Sequence, residues 1–291
     1  MDQILVNPSD ERRIIDFRPL GVEDVAVLGR YSYSAAHAVL EEHDHGPWLE
    51  ICYLEKGEQT YVVEGETFRL TGGDVFITRP HERHSTGDSR EGKGVLFWSI
   101  VRLPKSDESF LDLPSGEGAA LIDRLLHTPR RVFRGNESIR RTLYRIVSTF
   151  DATEDSLRVA NLRNLLLRFL LDVASASGNA GPQISPCIKA IQQFVADHID
   201  QPLSVTMLAQ QAGLSESRFK ARFKQEVGIP PADYVARVRI DRAKTLLTES
   251  QWPVTQISMQ LGFTTTQYFA TTFKRYTGQS PTDFRRASTL Q

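Results

Sequence analysis

The sequence predicts an α+β protein of two domains, a small β-barrel or sandwich with trailing helices followed by an all-α domain. Three observations predict this class. Apolar and polar residues alternate in short runs between residues 25 and 103, and glycine-containing turns separate the runs. From about Gly116 onward, apolar residues recur at three- and four-residue steps, as on amphipathic helices. A segment rich in glycine, serine and proline, residues 175–186, then interrupts the pattern, and the remainder is helical.

Length and composition are those of a globular protein with two cores. The chain has 291 residues, of which 40% are hydrophobic and 24% are charged, and ordinary domains hold about 100–150 residues each. We expect a first domain over residues 1–176, a linker over 177–186 and a second domain over 187–291. The two cysteines lie far apart in sequence, which argues against a disulfide framework or a Cys-x-x-Cys zinc site.

The net charge of −1 conceals an asymmetry between the two halves. Residues 183–291 carry 13 Lys+Arg against 8 Asp+Glu, whereas residues 1–182 carry 22 against 28. A basic half joined to an acidic half suggests a nucleic-acid-binding module attached to a domain of another kind.

The sequence predicts neither a signal peptide nor a membrane span. The N-terminus lacks a basic start followed by an apolar block. The longest apolar stretch, "NLLLRFLLDVASAS", is interrupted by Arg168 and Asp172 and is too short to span a membrane. We therefore expect a cytoplasmic protein with no membrane partner.

The first domain should begin with strands and end with helices. The runs "QTYVVEG", "ETFRL", "DVFITR" and "GVLFWSIVRL" have the alternation of half-buried strands. The later runs "AALIDRLLH", "ESIRRTLYRIVSTF" and "SLRVANLRNLLLRFLLDVAS" have helical periodicity. The last carries an apolar stripe from Leu162 to Val173, which Leu167 and Leu171 widen beyond one core face. An exposed apolar patch of this kind marks an interface, so we expect a homodimer.

The second domain contains an internal repeat. The stretch "LAQQAGLSESRFKARFKQEVGIPPADY" is echoed by "ISMQLGFTTTQYFATTFKRYTGQSPTDF". Gly213 matches Gly262 at a spacing of 49 residues. After one extra residue in the second turn, further pairs agree at a spacing of 50: Phe219/Phe269, Phe223/Phe273, Lys224/Lys274, Gly228/Gly278, Pro231/Pro281 and Tyr234/Phe284.

Each copy predicts a helix-turn-helix. Gly213 and Gly262 permit the positive φ of a tight turn between two helices. Between the copies, "PPADYVARVRIDRAKTLLTES" predicts one long helix that begins at a proline and would hold the two copies at a fixed separation. The expected helix caps are Ser204, Ser215 and either Thr264 or Thr265.

Residues 184–286 resemble the DNA-binding domain of the arabinose-regulator (AraC/XylS) family of transcription factors. The resemblance rests on both copies and is most specific in "RAKTLLTESQWPVTQISMQLGFTTTQYFATTFKRYTGQSP". In that family, two helix-turn-helices joined by a long helix dock in successive segments of the major groove. The resemblance implies recognition helices over 216–226 and 266–276, and a double-stranded DNA operator as the partner.

Outward positions on these helices are the expected DNA contacts. Gln267 can pair with adenine, Lys220 can donate to guanine, and threonine methyl groups can pack on thymine. Other basic side chains should contact phosphate, which positions the protein without specifying sequence. Ala221 stands where the family often has an arginine, so a strong guanine contact is in doubt there. The expected set is Ser217, Arg218, Lys220, Ala221, Arg222, Lys224, Thr266, Gln267, Thr271, Lys274 and Arg275.

The stretch "HDHGPWLEICYLEKG" in the first domain resembles the first cupin motif. Its spacing, HxHx4Ex6G, is met by His43, His45, Glu50 and Gly57. Many members of the AraC/XylS family carry a cupin-like effector-binding barrel in this half of the chain. The resemblance therefore implies that the predicted barrel is cupin-like and binds an effector.

A second cupin motif is partly present. The stretch "GDVFITRPHERH" keeps the Gly-Asp turn, the late proline and the final His84. It departs from the motif at His81, where glycine is usual, and at Arg79, which replaces the first proline. The cupin resemblance covers residues 25–103 in all.

Strand geometry explains why this spacing could make a site. Residues two apart on a strand share a face, so His43 and His45 would point inward together, near Glu50 and His84. Three imidazoles and a carboxylate suit a divalent zinc, nickel, iron or manganese ion. The family resemblance also implies a metal-free alternative, a pocket for a sugar or related metabolite. The expected effector-binding residues are His43, His45, Trp48, Glu50, Tyr61, Phe76, His84 and Trp98.

Three functional classes remain open. The first is a transcription regulator controlled by a small-molecule effector, with RNA polymerase as a further partner if it is an activator. The second is a metal-sensing or metal-containing regulator that uses the three histidines and the glutamate. The third is a cupin enzyme fused to a DNA-binding domain. We expect a regulator and not an enzyme, because an enzyme has no need of an operator.

Overall fold

One long strand organises the first half of the chain. The computed structural model describes residues 11–105, 108–152, 156–178 and 184–289. The strands are β1 Arg12–Asp16, β2 Val25–Tyr33, β3 Leu49–Val63, β4 Glu66–Thr71, β5 Asp74–Thr78, β6 His84–Ser85, β7 Gly94–Val101 and β8 Val132–Arg134. They form an antiparallel sheet in the order β1-β2-β7-β3-β5-β8, and β4 and β6 also pair with β3. The first half of β3 pairs with β5 and with β7, the latter through a bulge after Leu54 as far as Gly57. Its second half, from Glu58 onward, pairs with β4 and β6.

The two faces of β3 border different interiors. Ile51 and Tyr53 belong to a large hydrophobic core. Glu50 and Cys52 alternate with them and therefore point to the opposite face. Cys52 Sγ lies 4.0 Å from Tyr61 Oη, and Tyr61 lies in the second half of the same strand. The strand thus curls until its two halves face each other, which produces the cupin-like enclosure expected from the sequence.

Three helices cover the outer face of the sheet. They are α1 Ser115–Leu126, α2 Glu137–Asp151 and α3 Arg158–Ser177. The stripe of α3 expected from the sequence, Leu162 to Val173, is buried in the core that Ile51 and Tyr53 share. Leu167 packs against that core and does not widen an outer face, whereas Leu171 is 45% exposed.

The sheet extends beyond the range expected from the sequence. β1 lies before residue 25, and β8 interrupts the region where only helices were predicted. β1 pairs with β2 along all five of its residues, and β8 pairs with β5 through Val132, Phe133 and Arg134. Strands this short take their conformation from partners that are distant in sequence, and local alternation does not identify them.

The second half of the chain is helical and has two separate cores. The helices are α4 Pro186–Asp197, α5 Val205–Gln211, α6 Glu216–Val227, α7 Pro231–Glu249, α8 Val254–Gln260, α9 Thr266–Thr277 and α10 Pro281–Thr289. One core contains Phe219 and Phe223 of α6, and the other contains Phe269 and Phe273 of α9. Helices α5 and α6 form the first helix-turn-helix, and α8 and α9 form the second.

The turns and caps follow the predicted chemistry with one exception. Gly213 and Gly262 have φ values of 65° and 66°. The hydroxyl of Ser204 accepts a hydrogen bond from Met207 N, and that of Thr265 accepts one from Tyr268 N. The expected cap at Ser215 is wrong in one respect. Ser215 is the N-cap residue of α6, but within the described chain its hydroxyl makes no cap hydrogen bond.

The chain divides into two compact units. One contains Met1–Ser32, Val39–Ser89 and Gly94–Gly181, and the other contains Tyr33–Ala38, Arg90–Lys93 and Pro182–Gln291. Helix α3 ends at Ser177 and α4 begins at Pro186, and residues 179–183 of the predicted linker lie outside the described residues. Among the described helices, none is both long enough and apolar enough to cross a membrane.

Candidate functional site

Four polar side chains predicted from the cupin motifs meet inside the curled sheet. Glu50 comes from β3, and His84 begins β6 opposite Val63. His43 exchanges two backbone hydrogen bonds with His84, at 3.0 and 2.8 Å. His45 follows two residues later, so its ring joins the same group. The ring centroids of His43 and His45 lie 4.3 and 5.2 Å from that of His84.

The expectation that His43 and His45 share a regular strand is wrong. His43 forms an isolated bridge, and His45 lies in the loop before β3. Their rings converge because the bridge to His84 fixes the backbone of this loop, and not because strand alternation aligns them. The predicted grouping of the side chains is therefore observed, although the predicted local structure is not.

Glu50 is the anionic centre of the group. Its Oε2 lies 3.2 Å from His84 Nε2 and accepts a hydrogen bond from Thr78 Oγ1 at 3.3 Å. Its Oε1 lies 3.5 Å from His45 Nε2. By the geometry of its neighbours among the described residues, this buried nitrogen has no hydrogen-bond partner. A ligand, an ion or an ordered water could satisfy a buried polar nitrogen in this state.

The histidines differ in their electrostatic state. Burial alone would raise the pKa of Glu50, but His45 and His84 outweigh it and hold this pKa well below the ordinary value. Burial opposes protonation of His84, yet Glu50 overcomes this and raises the His84 pKa. Burial and the neighbouring His84 lower the pKa of His43. The site thus combines a carboxylate, a readily protonated imidazole and an imidazole that stays neutral.

Two of the three imidazoles, those of His43 and His84, have the second partners typical of oriented ligands. His43 Nδ1 lies 2.8 Å from Glu41 O, and His84 Nδ1 lies 3.4 Å from Glu82 O. One ligand nitrogen from each of His43, His45 and His84 lies within 4.8 Å of the other two. Imidazoles oriented by backbone carbonyls are suitable metal ligands in their neutral form, so His84 would have to release its proton on binding an ion. The donor set therefore fits a divalent ion, with Glu50 beside it.

Aromatic rings form one side of the enclosure. Tyr61 and Phe76 stack with centroids 4.6 Å apart and nearly parallel planes. Trp98 pairs with Cys52 in the sheet register, which places Trp98 on the same inward face. Its indole lies over Gly29, where a Cβ would come within 2.0 Å of Trp98 Cε2. Trp48, the remaining predicted wall residue, is half-buried just before β3.

The predicted recognition helices expose most of the predicted contact residues. On α6 the exposed members of the set are Ser217, Arg218, Lys220, Ala221, Arg222 and Lys224. On α9, Gln267, Thr271 and Lys274 are exposed, whereas Thr266 and Arg275 are half-buried. The guanidinium carbon of Arg275 lies 5.3 Å from the centroid of the Tyr276 ring, so this side chain packs along its own helix.

Two basic side chains of α6 are engaged in ion pairs along the helix. Lys220 Nζ lies 2.5 Å from Glu216 Oε1, and Arg222 Nε lies 2.7 Å from Glu226 Oε1. Surface pairs of this kind stabilise a helix only weakly. A phosphate or base can therefore compete for either cation at little cost.

Comparisons with known proteins match both halves of the chain. The AraC-like ligand binding domain matches residues 25–167, and a helix-turn-helix domain matches residues 208–287. Together these matches cover more than half of the sequence. The chain belongs to the AraC/XylS family. It is a DNA-binding regulator with an N-terminal ligand-binding domain.

Individual relatives of this AraC-type regulator align over almost their full lengths. The HTH-type transcriptional activator RhaS of Salmonella heidelberg (strain SL476) is 28% identical over 281 residues, which are 94% of this chain and 95% of the relative. RhaS of Salmonella arizonae is 28% identical over 276 residues. Among solved structures, the C-terminal domain of AraT, a response regulator from Geobacillus stearothermophilus, is 29% identical and covers 36% of this chain and 88% of its own, with a TM-score of 0.35.

Sequence reasoning missed four residues that border the two candidate sites. Thr78 donates to Glu50, and Cys52 lies next to Tyr61 on the inward face. Period-two alternation from Phe76 and from Glu50 could have identified both. On the recognition helices, Tyr268 is 54% exposed and Glu216 stands at the first turn of α6. A helical wheel that placed Phe269 and Phe273 inward would have put Tyr268 on the outside. The same wheel puts Glu216 on the side of Phe219 and Phe223, so periodicity would not have identified it.

Proposed function

We propose that this regulator is controlled by a sugar or a related polyhydroxylated metabolite that binds inside the curled sheet beside Glu50, His45 and His84. The observation that carries the proposal is the buried His45 Nε2, which lacks a hydrogen-bond partner within the described chain and lies beside a carboxylate. A hydroxyl group can donate to the carboxylate and accept from an imidazole at the same time. The stacked Tyr61 and Phe76 would supply an apolar face opposite these polar groups.

In this proposal the protein regulates transcription by binding DNA and has no catalytic role. The relatives named above are transcriptional activators, and we infer the same role here, with RNA polymerase as a partner. Because its target is genomic DNA, we place the protein in the cytoplasm. Effector binding can change DNA affinity only if it favours one conformational state over another.

The effector proposal is tested with the full chain in thermal unfolding. A panel of monosaccharides, polyols and hydroxy acids is added, because a ligand that binds the folded state raises the unfolding midpoint. We expect one class to raise the midpoint of the wild type and of His127→Gln, an exposed histidine, but not of His45→Gln. A ligand that stabilises His45→Gln as strongly as the wild type would place the effector site elsewhere.

A metal ion is the second candidate ligand, favoured by the grouping of the three histidine nitrogens. Here His43, His45 and His84 would hold a zinc, nickel, iron or manganese ion, and the ion would act as a Lewis acid toward a ligand oxygen. Elemental analysis of the purified protein tests this directly. Stoichiometric metal that is lost from a His43→Gln variant would support it, and metal-free protein that responds fully to an effector would rule it out.

We propose that α6 and α9 contact DNA through the exposed residues identified above. Gln267 and Lys220 would contact base edges, and Arg218, Arg222, Lys224 and Lys274 would contact phosphates. Ser217, Ala221, Thr266 and Thr271 would pack against bases, and Arg275 would take part only after leaving Tyr276. The support is the exposure of these side chains, other than Thr266 and Arg275, on the second helix of each helix-turn-helix.

Selection of bound duplexes from a random library by the full chain tests the DNA interface. We expect the selected duplexes to share a bipartite consensus sequence. The affinity of the protein for these duplexes should fall as the salt concentration rises, because phosphate contacts release counterions. Selected duplexes that bind no better than unselected duplexes at equal salt would contradict sequence-specific binding.

We further propose that the regulator forms a homodimer through α3. The support is the exposed Leu171 on the outer side of this helix. Because Leu167 packs inward, the apolar surface is smaller than the sequence suggested.

A further inference from the structure

The long helix α7 contributes to both cores of the helical half. Val235 and Val238 pack in the core of the first helix-turn-helix, whereas Ile240 and Ala243 pack in the core of the second. Arg239 lies between these two sets, where the buried face of the helix changes from one core to the other. Because a helix turns by about 100° per residue, a side chain at this position can reach both helix-turn-helices.

Arg239 contacts the segment that leads into the first helix-turn-helix. Its Nη2 donates to Gln201 O at 2.7 Å, and its Nε donates to Ile199 O at 3.4 Å. Both carbonyls belong to the segment between α4 and α5. A guanidinium is a rigid planar fork, so two such bonds fix its orientation as well as its position.

The same guanidinium contacts the turn of the second helix-turn-helix. Its carbon lies 5.6 Å from the centroid of the Phe263 ring. The Phe263 ring in turn packs on Phe269 of the recognition helix α9, with centroids 5.0 Å apart. A Cβ at Gly262 would lie 2.7 Å from Arg239 Nη2 and 3.1 Å from Gln201 O. Glycine is therefore needed here for close approach as well as for its positive φ.

Arg239 is thus one side chain through which the two helix-turn-helices touch. Burial lowers the pKa of Arg239, so partial removal from water opposes its charge. The carbonyls and the aromatic ring offset that cost only while both helix-turn-helices keep their places around it.

We infer that Arg239 is a positioning residue that sets the separation of the recognition helices α6 and α9, and hence the number of base pairs between the two DNA segments that they contact. The inference rests on the proposed function, in which both helices bind DNA. One inserted base pair moves the second segment by about 3.4 Å and turns it by about 34° around the duplex axis. A rigid protein would not follow such a change without losing contacts.

The test uses the full chain and the bipartite duplex obtained by selection. Affinity is measured for that duplex, for versions with one base pair inserted or removed between the two segments, and for a version with the α9 segment scrambled. We expect the wild type to prefer the selected spacing by about tenfold. Arg239→Met keeps the length of the side chain but removes its donors, and should reduce this preference to about threefold or less while binding the scrambled duplex as the wild type does.

Arg242→Met is the matched control, because Arg242 is exposed on the same helix and the change in charge is identical. It should retain the spacing preference of the wild type. Arg239→Lys keeps the positive charge but loses the planar guanidinium, so its preference for the selected spacing should be intermediate. This variant replaces Arg239→Met in the test if Arg239→Met does not fold.

Several outcomes would overturn the inference. The inference would be overturned if the wild type bound duplexes of all three spacings with equal affinity. It would also be overturned if Arg239→Met preferred the selected spacing as strongly as the wild type does. Unfolding of both Arg239 variants would overturn it too, because the residue would then support the fold and not the spacing. A wild type with no preference for any selected sequence is a different result, since it would contradict the proposed DNA interface itself.

Discussion

At the scale of single residues, equivalent positions of the two helix-turn-helices differ in their hydrogen bonds. Thr265 Oγ1 accepts from Tyr268 N at 3.1 Å. The hydroxyl of Ser215, at the equivalent position of the first copy, lies 3.4 Å from Ser217 Oγ instead. Thr265 therefore stabilises α9 more than Ser215 stabilises α6, although both hydroxyl residues precede the second helix of their repeat.

This difference predicts unequal effects of two alanine substitutions. Thr265→Ala should lower the free energy of unfolding by about 1 kcal/mol, and Ser215→Ala by only a few tenths, since only the first removes a cap hydrogen bond. The chain has three tryptophans, and Trp252 belongs to the helical unit. With Trp48 and Trp98 replaced by phenylalanine, the fluorescence of Trp252 can follow the urea unfolding of that unit. Equal losses for the two variants would contradict the assigned caps.

Individual DNA contacts should separate into those that read bases and those that hold the backbone. Gln267→Ala should relax the preference at one base position and cost about 1–3 kcal/mol there, and Lys220→Ala should do the same at a separate position. Lys274→Ala should instead weaken binding to all sequences and reduce the salt slope by about 1. Binding to a set of single-base variants at several salt concentrations distinguishes the two behaviours. Uniform weakening by Gln267→Ala would exclude it from base recognition.

At the scale of elements, a carboxylate joins α6 to the start of α4. Glu226 Oε2 accepts from Ser185 N at 2.7 Å, and its Oε1 pairs with Arg222. Burial would raise the pKa of Glu226, but these partners outweigh it and lower the pKa below 4.5. The start of α4 is thus held by a carboxylate at the end of α6.

The direction of this shift predicts how stability depends on pH. A carboxyl whose pKa is lower in the folded chain contributes stability above the unfolded pKa, and the contribution is lost as pH falls through the folded pKa. At neutral pH, Glu226→Gln should therefore be less stable than the wild type by about 1 kcal/mol. The difference should shrink once the pH drops below about 4.5. Urea unfolding at a series of pH values measures it, with Glu249→Gln as an exposed control, and a difference that grows in acid would contradict the assignment.

At the scale of the whole molecule, the exposed part of α3 predicts self-association. Leu171→Glu should shift a dimer toward the monomer at tens of micromolar protein, because a charge would have to be buried in the interface. Met259→Glu, an equally drastic change at an exposed residue of α8, should leave the oligomeric state as it is. Sedimentation equilibrium of the full chain decides this, and a monomeric wild type at those concentrations would end the proposal.

The sequence by itself determined the features that depend on local chemistry. The repeat, its turn glycines and its paired phenylalanines predicted two helix-turn-helices, since a 3.6-residue period and a residue tolerant of positive φ are local requirements. Alternation predicted the second half of β3, β4, β5 and β7 on the same grounds. The glycine turn expected at Lys56 and Gly57 was wrong, because β3 continues through both residues. The cupin spacing also identified the residues of the candidate site, because a motif preserves the identity of side chains that must meet.

Only the tertiary structure decided how distant segments come together. β1 and β8 are strands because β2 and β5 offer them backbone partners. His43 reaches His84, the first residue of β6, through a bridge from the loop before β3. In the sequence, Arg239 cannot be distinguished from any other arginine of an amphipathic helix. In the structure it contacts both the carbonyl of Gln201 and the ring of Phe263. Long-range pairing depends on the packing of the whole chain, and periodicity within one segment does not encode it.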